Sequence, residues 1–359
     1  MPKRPDHTDG AVLIYGATGY TGKLIAKVAA AEGARPIPAG RNLNTVKAVA
    51  KPLDLEPCAF DLRDPARIDA AIKGVAVALN VAGPFSATSR PMADACLRNR
   101  MHYLDIIGEI KVFEALAARD AEAKARGVML LPGVGFDVVP SDCLAAHVKR
   151  RLPDANDLKL YLSFGANAPS RGTAKTMVEA IAAGTRLRRN GRIVSRDRAK
   201  AGSCDFGKGE SRTIQVSWGD VVTAFHSTGI PNVEVQFEAS PAMMAFARTP
   251  FFVKAFLGLH LMQSLLKLQV DRMPEGPSEA SRQAGWAVLV GEARNKRGQT
   301  VRSRLRTPEG YSLTAATAFD AASRVAAGKV KPGFQTPSLA FGADYILDFD
   351  GVAREDLNT

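Results

Sequence analysis

The sequence contains few cysteines and histidines, four and five in 359 residues. Cys58, Cys96, Cys143 and Cys204 are scattered and form no CxxC pair, so neither a disulfide framework nor a structural zinc site is predicted. The histidines are equally dispersed and form no HExxH pattern. We therefore expect no metal site.

A long apolar run at the N-terminus is also absent, because residues 1–10 read MPKRPDHTDG. This stretch does not resemble a secretory signal, and with the scattered cysteines it predicts a cytoplasmic protein. Aromatic residues make up 7% of the chain and do not alternate with arginines, so no nucleic-acid partner is expected. No repeated period is visible, and the proportions of hydrophobic and charged residues are those of a globular protein.

Positive charge, by contrast, is in excess, with a formal net charge of +12. Such a balance favours anionic partners, whether nucleotides, phosphorylated carriers or an acidic membrane surface. The length exceeds what one hydrophobic core usually supports, so two domains are predicted.

The N-terminal region has the pattern of strand, glycine turn and helix. An apolar run at 11–15, AVLIY, is typical of a buried parallel strand. GATGYTG follows, with Gly16, Gly19 and Gly22 three residues apart, and a helical pattern covers 23–33. This context predicts a dinucleotide-binding Rossmann domain.

Each glycine has a predicted task in binding the pyrophosphate. Gly16 permits the tight turn, Gly19 allows close approach of the backbone, and Gly22 lets the helix pack on the sheet. The N–H groups at the start of the helix would receive the phosphate charge. The loop residues of this predicted site are Gly16, Ala17, Thr18, Gly19, Tyr20, Thr21 and Gly22.

The end of the second strand predicts the choice of cofactor. An NAD site usually has Asp or Glu there, whereas this chain has Arg41 followed by Asn42. A guanidinium suits a 2′-phosphate, so NADP is the predicted cofactor. Pro36 and Pro38 lie in the same strand and each lacks a ladder donor, so short pairing is expected on one side.

Further strands follow at α/β intervals. One is predicted around 58–62, and three more are predicted together with the loops that leave them, at 77–85, 102–109 and 128–142, with a helix at 111–126. Ligands of doubly wound folds bind at the carboxyl ends of the strands. Asp61 is therefore predicted to meet the adenine. The loop under the nicotinamide ribose is predicted to contain Val81, Ala82, Gly83 and Pro84.

Polar residues at the exits of the fifth and sixth strands are the catalytic candidates. A reductase of C=C or C=N bonds needs a proton donor or polariser near the substrate. Tyr103, Asp105, Glu109 and Asp137 are so placed, and each could equally serve in capping or loop hydrogen bonds. No YxxxK pair stands in the usual place, which argues against short-chain-type carbonyl reduction.

Several predicted strands in the second half of the chain alternate apolar with polar residues, whereas those of the first half are continuously apolar. The strands of the second half are predicted at 158–164, 213–218, 233–238, 286–293 and 299–305. The fold class is thus α/β, a doubly wound parallel sheet plus a second α+β domain with a mainly antiparallel sheet. The domain boundary is predicted near 150, giving domains at 1–150 and 151–313.

Several motifs together resemble the saccharopine dehydrogenase-like oxidoreductases, most closely the short bacterial members that include trans-acting enoyl reductases. They are GATGYTG, AGRN, NVAGPF, YLDxxGE, PGVGFDVVPSD, SRGTAKTMVEA, TAFHSTGIPNVEV and GFQTPSLAFGADYI. The resemblance implies NADP-dependent hydride transfer and a C-terminal segment, 314–359, that returns to the Rossmann domain. A homodimer is expected.

Two basic runs, at 186–200 and 294–306, lie in the predicted substrate domain. A solvated basic face is the simpler interpretation of each, and their common domain favours an anionic substrate. An apolar segment at 242–270 is interrupted by charges and cannot be a membrane-spanning helix. It has three interpretations: a buried helix pair, which is the simplest, an interfacial membrane or subunit-contact helix, or the wall of a lipid-acyl pocket.

Three functions stay open at this point. The first is reduction of an enoyl or lipid-linked acyl substrate, and the second is reduction of an amino-acid imine, as for saccharopine. The third is a non-catalytic NADP(H)-binding regulator. The proton donor and the direction of the reaction are not determined by these patterns.

Overall fold

The computed structural model describes residues 10–165, 169–181, 184–249, 253 and 256–358, with the backbone alone at 180, 242 and 246–248. It divides into two compact units. The first comprises the described residues of Met1–Val139 together with Tyr311–Ala340, and the second comprises those of Pro140–Gly310 together with Phe341–Thr359.

The strands of both units, numbered along the chain, are β1 Ala11–Tyr15, β2 Ile37–Gly40, β3 Cys58–Ala59, β4 Val75–Asn80, β5 His102–Asp105, β6 Met129–Leu131, β7 Asp157–Phe164, β8 Thr185–Arg189, β9 Arg192–Arg196, β10 Ala201–Asp205, β11 Glu210–Val216, β12 Asn232–Glu238, β13 Trp286–Arg294, β14 Thr300–Pro308, β15 Gly333–Phe334 and β16 Ala353–Leu357. The helices are α1 Tyr20–Ala31, α2 Leu43–Ala50, α3 Pro65–Ala71, α4 Phe85–Asn99, α5 Ile110–Ala117, α6 Asp120–Arg126, α7 Val139–Arg151, α8 Arg171–Ala180, α9 Asp220–Thr228, α10 Pro241–Arg248, α11 His260–Val270, α12 Glu279–Ala284, α13 Gly310–Ala326 and α14 Pro337–Phe341. Short 3-10 turns cover Lys51–Leu53 and Tyr345–Asp348.

The first unit contains a parallel sheet in the order β15-β6-β5-β4-β1-β2-β3. The direction of winding reverses between β1 and β4, which confirms the predicted doubly wound fold. Leu13 and Ile14 of β1 are fully buried, as the apolar run predicted. The carboxyl ends of the parallel strands share one edge of this sheet, and the loops that leave it form the candidate site.

Two predicted elements of the first unit are shorter than expected. The strand expected at 58–62 is only Cys58–Ala59, and it pairs with Ala39 and Gly40 of β2. Three residues of β2 pair with β1, so the pairing of β2 is shorter on the β3 side. Pro36, which was expected inside this strand, precedes it. The single helix expected at 111–126 is two helices, α5 and α6.

The second unit contains a nine-stranded sheet whose main path runs β10-β11-β12-β7-β13-β14-β16. β8 joins β12 and β9 beside this path. The β7–β12 pair is parallel and the other pairs are antiparallel. The predicted α+β architecture with a mainly antiparallel sheet is therefore confirmed.

The domain limits differ from those expected. The first unit ends at Val139 rather than near 150, and only Tyr311–Ala340 of the C-terminal region groups with it. Residues after 340 group with the second unit, where β16 pairs with β14. Of the segment 314–359, residues 314–340 thus group with the Rossmann unit, whereas the last strand extends the second sheet.

The basic run at 186–200 is not merely a solvated face. It forms the β8–β9 hairpin, whose turn has positive φ at Asn190 and Gly191. Arg188 is buried, donates to the carbonyls of Val221 and Gly191 at 2.6 Å each, and stacks on Phe225. The solvated-face interpretation is therefore wrong for Arg188.

Arginines of the second basic run are paired with carboxylates of the same unit. Arg302 contacts Glu292 at 2.5 Å, and Arg304 contacts Glu355 at 2.7 Å. Arg297 lies 2.7 Å from Asp154. These pairs weaken the argument from charge for an anionic substrate.

The apolar segment at 242–270 includes α10 and α11. In α11, whose residues are all described, Val270 alone is buried. The interpretation as a buried helix pair is therefore wrong for α11. Phe251, Phe252 and Lys254 lie outside the described residues, as do the side chains of Phe246 and Arg248.

Across the described part of the chain, no helix is both long and apolar enough to cross a membrane.

Candidate cofactor and catalytic site

The GATGYTG loop turns sharply between β1 and α1. Gly16 has φ +94°, a conformation that favours glycine. Its N–H and that of Ala17 donate to the carbonyl of Ala39 in β2, at 2.9 and 3.1 Å. Gly19 donates to the carbonyl of Gly16 at 3.0 Å and precedes the first turn of α1. The loop is thereby fixed against the neighbouring strand.

The three glycines differ in what a side chain would meet. A Cβ at Gly16 would lie 2.7 Å from the backbone nitrogen of Ala82, and one at Gly22 would lie 2.7 Å from the Cα of Ala17. A Cβ at Gly19 would meet only the Gly16 carbonyl, at 3.4 Å. Gly16 and Gly22 are thus required by the fold, whereas the fold leaves open space beside Gly19.

This open space fits a dinucleotide pyrophosphate. Gly19 is exposed and stands at the N-terminus of the twelve-residue α1, whose first turn has no acidic residue. The N–H groups there lack intrahelical acceptors and carry the positive end of the helix dipole. Thr18, Tyr20 and Thr21 flank this space and are half-buried.

The adenine end of the predicted site lies after β2 and β3. Arg41 is exposed, while the side chain of Asn42 caps α2 by accepting from the N–H groups of Asn44 and Thr45. Asp61 accepts from the side chain and the backbone N–H of Arg63, at 2.7 to 3.0 Å. These bonds, helped by the charges of Arg63 and Arg41, lower the pKa of Asp61 to about 2. Asp61 therefore holds a second arginine close to Arg41.

The loop after β4 is held in place by hydrogen bonds. The N–H of Val81 donates to the Tyr15 carbonyl at 2.8 Å, and that of Ala82 donates to Oδ1 of Asn80 at 3.2 Å. Thr88 donates to the Ala82 carbonyl at 2.6 Å. Gly83 and Pro84 follow and are exposed. A loop this fixed can support a ribose without moving.

Tyr103 and Asp105, two catalytic candidates, form a fully buried pair. The Tyr103 hydroxyl donates to Oδ2 of Asp105 at 2.7 Å. Oδ1 accepts from the backbone N–H groups of Ile107 and Gly133, at 3.1 and 2.9 Å. Burial raises the pKa of Asp105 to about 6 against these hydrogen bonds. The pair thus ties the exit of β5 to the exit of β6.

Asp137 and Glu109, the other two candidates, are half-buried. Burial raises the pKa of Asp137 to about 6. A Cβ at Gly108 would lie 3.0 Å from Oδ2 of Asp137, so the carboxylate packs against the backbone of the β5 exit loop. Glu109 directly precedes α5, and its charge helps to raise the pKa of Asp105. The exits of β5 and β6 therefore bring these carboxylates together.

Helix α13 supports the β6 exit loop, a role that the sequence analysis missed. The Thr314 hydroxyl accepts from the N–H of Phe136 at 2.9 Å, and the Thr317 hydroxyl donates to the Val134 carbonyl at 2.8 Å. The ring of Tyr311 packs edge-on against Tyr20 of the glycine loop, at 5.2 Å between centroids. Nothing local in the sequence indicates these contacts, because they join residues far apart along the chain.

Arg63, Asn80 and Thr88 were also missed. Asn80 ends β4 and Arg63 follows Asp61 by two residues, so their positions at strand exits were a usable signal. Within the described residues, no group of three or more His, Cys, Asp or Glu side chains is arranged to hold a metal ion.

Comparison with known proteins identifies the N-terminal domain. Residues 12–131 match the saccharopine dehydrogenase NADP binding domain. A trans-acting enoyl reductase from Mycobacterium leprae is 32% identical over 156 residues, 41% of this chain and 37% of that protein. A saccharopine dehydrogenase-like oxidoreductase from Homo sapiens is 26% identical over 170 residues, 42% of this chain and 39% of that protein. The chain thus matches about two fifths of the length of these relatives.

The fold is similar to a solved structure over both units. Apo saccharopine dehydrogenase (L-Glu forming) from Saccharomyces cerevisiae aligns with a TM-score of 0.68 at 14% identity, covering 97% of this chain and 100% of that chain. At this identity the likeness concerns the fold alone. The resemblance predicted from the motifs is confirmed over residues 12–131, which match the NADP binding domain of saccharopine dehydrogenase.

Proposed function

We propose that this protein is an NADP(H)-dependent oxidoreductase that transfers a hydride to or from a C=C or C=N bond. The main support for this proposal is the set of residues at the carboxyl edge of the parallel sheet. The open space at Gly19 follows β1, and the half-buried carboxylate of Asp137 follows β6 of the same sheet. Ligands of such sheets bind along this edge, so a dinucleotide on the glycine loop would extend toward the exits of β4 to β6.

Asp137 is the proton donor in this proposal. Bound NADPH supplies the hydride, and the chain must provide a proton for the bond that is reduced. The raised pKa of Asp137, about 6, keeps part of the population protonated near neutral pH. The absence of a side chain at Gly108 leaves room for this carboxylate.

Tyr103 and Asp105 act as positioning residues, because full burial separates both from a bound substrate. Asp105 accepts the backbone N–H of Gly133 and so orients the loop that contains Asp137. Glu109 is the alternative donor, since it is half-buried and lies at the neighbouring exit.

An enoyl or lipid-linked acyl compound is the substrate that we favour. Proteins similar to this chain include trans-acting enoyl reductases. The second unit also exposes apolar side chains on α11, which suits a protein that handles hydrophobic molecules. An amino-acid imine is the second candidate, supported by the match of residues 12–131 to the saccharopine dehydrogenase NADP binding domain. A non-catalytic NADP(H)-binding regulator is the third, and it predicts binding without turnover.

The test is oxidation of NADPH, followed at saturating cofactor with a panel of enoyl thioesters and a panel of imines. Turnover of the thioesters supports the favoured substrate, and turnover of imines alone supports the second. Tight NADPH binding with no turnover in either panel would contradict the proposed activity.

For the proton donor, the prediction is that Asp137→Asn lowers kcat by about 100-fold, within the usual range for removal of a general acid. Reduction requires the protonated carboxyl, so the wild-type kcat/KM should fall as pH rises through about 6. That decline should be absent in the variant, while the Kd for NADPH is unchanged.

Asp197→Asn is the matched control, because Asp197 is an exposed aspartate of the second unit. It should keep both the wild-type kcat and the pH profile. An Asp137→Asn enzyme that kept them would eliminate Asp137 as the donor, and the same measurement on Glu109→Gln would then test the alternative.

A further inference from the structure

Helix α11 directs an apolar stripe outward. Leu261, Leu265 and Leu268 recur at spacings of four and three, which places them on one side of the helix. They are exposed by 71, 48 and 61% of their surface. We call these three residues the leucine face. Phe256 and Leu259, just before the helix, are also more than half exposed.

The opposite side of α11 accounts for its attachment to the unit. Leu266 and Val270 pack in a cluster with Ala174 and Val178 of α8. Two cross-helix ion pairs accompany this cluster, Lys267–Glu179 at 2.7 Å and Lys175–Asp271 at 2.6 Å. Because the inner side holds α11 on α8, the leucine face is not needed for that packing.

The sequence around the leucine face contains more basic than acidic residues. From 239 to 270 the sequence contains no aspartate or glutamate but has Arg248, Lys254 and Lys267. Arg272, one helical turn beyond Leu268, is exposed. Asp271, the nearest acid in sequence, is paired with Lys175. Lys267 is paired with Glu179, so among the described residues Arg272 is the exposed cation beside these apolar side chains, within a chain of net charge +12.

We propose that the leucine face docks the protein on an anionic membrane surface. Interfacial helices bury Leu and Phe side chains at the level of the headgroups, and basic residues beside them attract anionic lipids. Exposed apolar patches of this kind mark interaction sites rather than ordinary surface. The helix lies along the surface in this mode and need not cross the bilayer.

Charge argues against a second copy of this chain as the occupant. A two-fold interface brings the same patch of both subunits together. Here it would bring the Arg272 side chains of both copies into one interface, whereas anionic lipids would attract them. The proposal is independent of the oxidoreductase activity, since it concerns binding alone.

The experiment is co-sedimentation of the full chain with vesicles of phosphatidylcholine alone or of phosphatidylcholine with phosphatidylglycerol. We expect at least tenfold stronger partitioning to the anionic vesicles. Raising the salt from 0.05 to 0.5 M should markedly reduce this partitioning, because over about this range the Debye length falls below the size of a headgroup. Leu265→Gln/Leu268→Gln should weaken partitioning at least tenfold, and Arg272→Gln should weaken binding to anionic vesicles only. Leu347→Gln is the control, since Leu347 is an exposed leucine elsewhere in the second unit.

Circular dichroism and NADPH affinity verify that each variant is folded. Equal partitioning of wild type to neutral and anionic vesicles overturns the proposal, and this measurement does not depend on any variant. Wild-type binding by the folded double variant overturns it as well. A wild-type dimer that the double variant dissociates, without vesicle binding by either protein, shows that a second copy covers the leucine face instead.

Discussion

At the scale of single residues, Gly19 separates cofactor binding from folding. The Kd for NADPH should rise at least 100-fold in Gly19→Val, about 2.7 kcal/mol, because the branched side chain fills the open space at the start of α1. The melting temperature should stay close to that of wild type. Isothermal titration and thermal unfolding measure the two quantities.

Gly22→Ala is the matched control for this change. Its Cβ would lie 2.7 Å from the Cα of Ala17, so we expect a lower melting temperature. A folded Gly19→Val protein with unchanged NADPH affinity would show that the loop does not hold the pyrophosphate.

Arg41 determines the preference for NADPH in our interpretation. The wild type should bind NADPH at least tenfold more tightly than NADH, about 1.4 kcal/mol, and Arg41→Ala should remove most of this difference. Arg35→Ala is the control, because Arg35 is also exposed but pairs with Asp54. Equal dissociation constants for the two cofactors in the wild type would refute the assignment.

At the scale of elements, α13 fixes the loop that contains Asp137. Thr314→Val keeps the shape of the side chain but leaves the buried N–H of Phe136 without its acceptor, which should lower the free energy of unfolding by about 1–3 kcal/mol. The same change should reduce kcat more than NADPH affinity, because the disturbed loop follows β6 and not the glycine turn. Denaturant unfolding and steady-state kinetics measure these effects.

The control for this prediction is Thr300→Val, since the exposed hydrogen bond from the Thr300 hydroxyl to the carbonyl of Gly298 is long, at 3.4 Å. Wild-type stability and kcat in Thr314→Val would show that α13 does not support the loop.

Elements whose signals are local could be predicted from the sequence. β1, the glycine turn and α1 adjoin one another, so their pattern is complete within 11–33. The β8–β9 hairpin was missed because arginine is common on solvated faces, and the burial of Arg188 depends on Phe225 and Val221 in a distant helix. The candidate site could be predicted to the same extent. The positions of strand exits in the sequence located the candidate residues. The burial of Tyr103 and Asp105 and the contacts of Thr314 depend on residues far apart along the chain, so the sequence did not predict them.

At the scale of the whole molecule, the alternation of apolar strands and helices predicted the class of each unit but not its limits. The change in strand pattern predicted a boundary near 150. The first unit instead ends at Val139 and also includes Tyr311–Ala340, which follow Gly310 in the chain. The assignment of β16 to the second sheet depends on pairing with β14, and a five-residue stretch of mostly charged residues gives no sign of its partner.

The pairing of β15 with β6 has a consequence for the order of events on the ribosome. Met129 and Leu130 meet their partners, Gly333 and Phe334, only after some two hundred intervening residues have been translated. Until then β6 is an open edge, and the N–H of Phe136 lacks Thr314. The sheet of the nascent cofactor domain therefore stays incomplete while the second unit is synthesised. A chaperone that covers the open edge of β6 would protect the domain from aggregation most during this period.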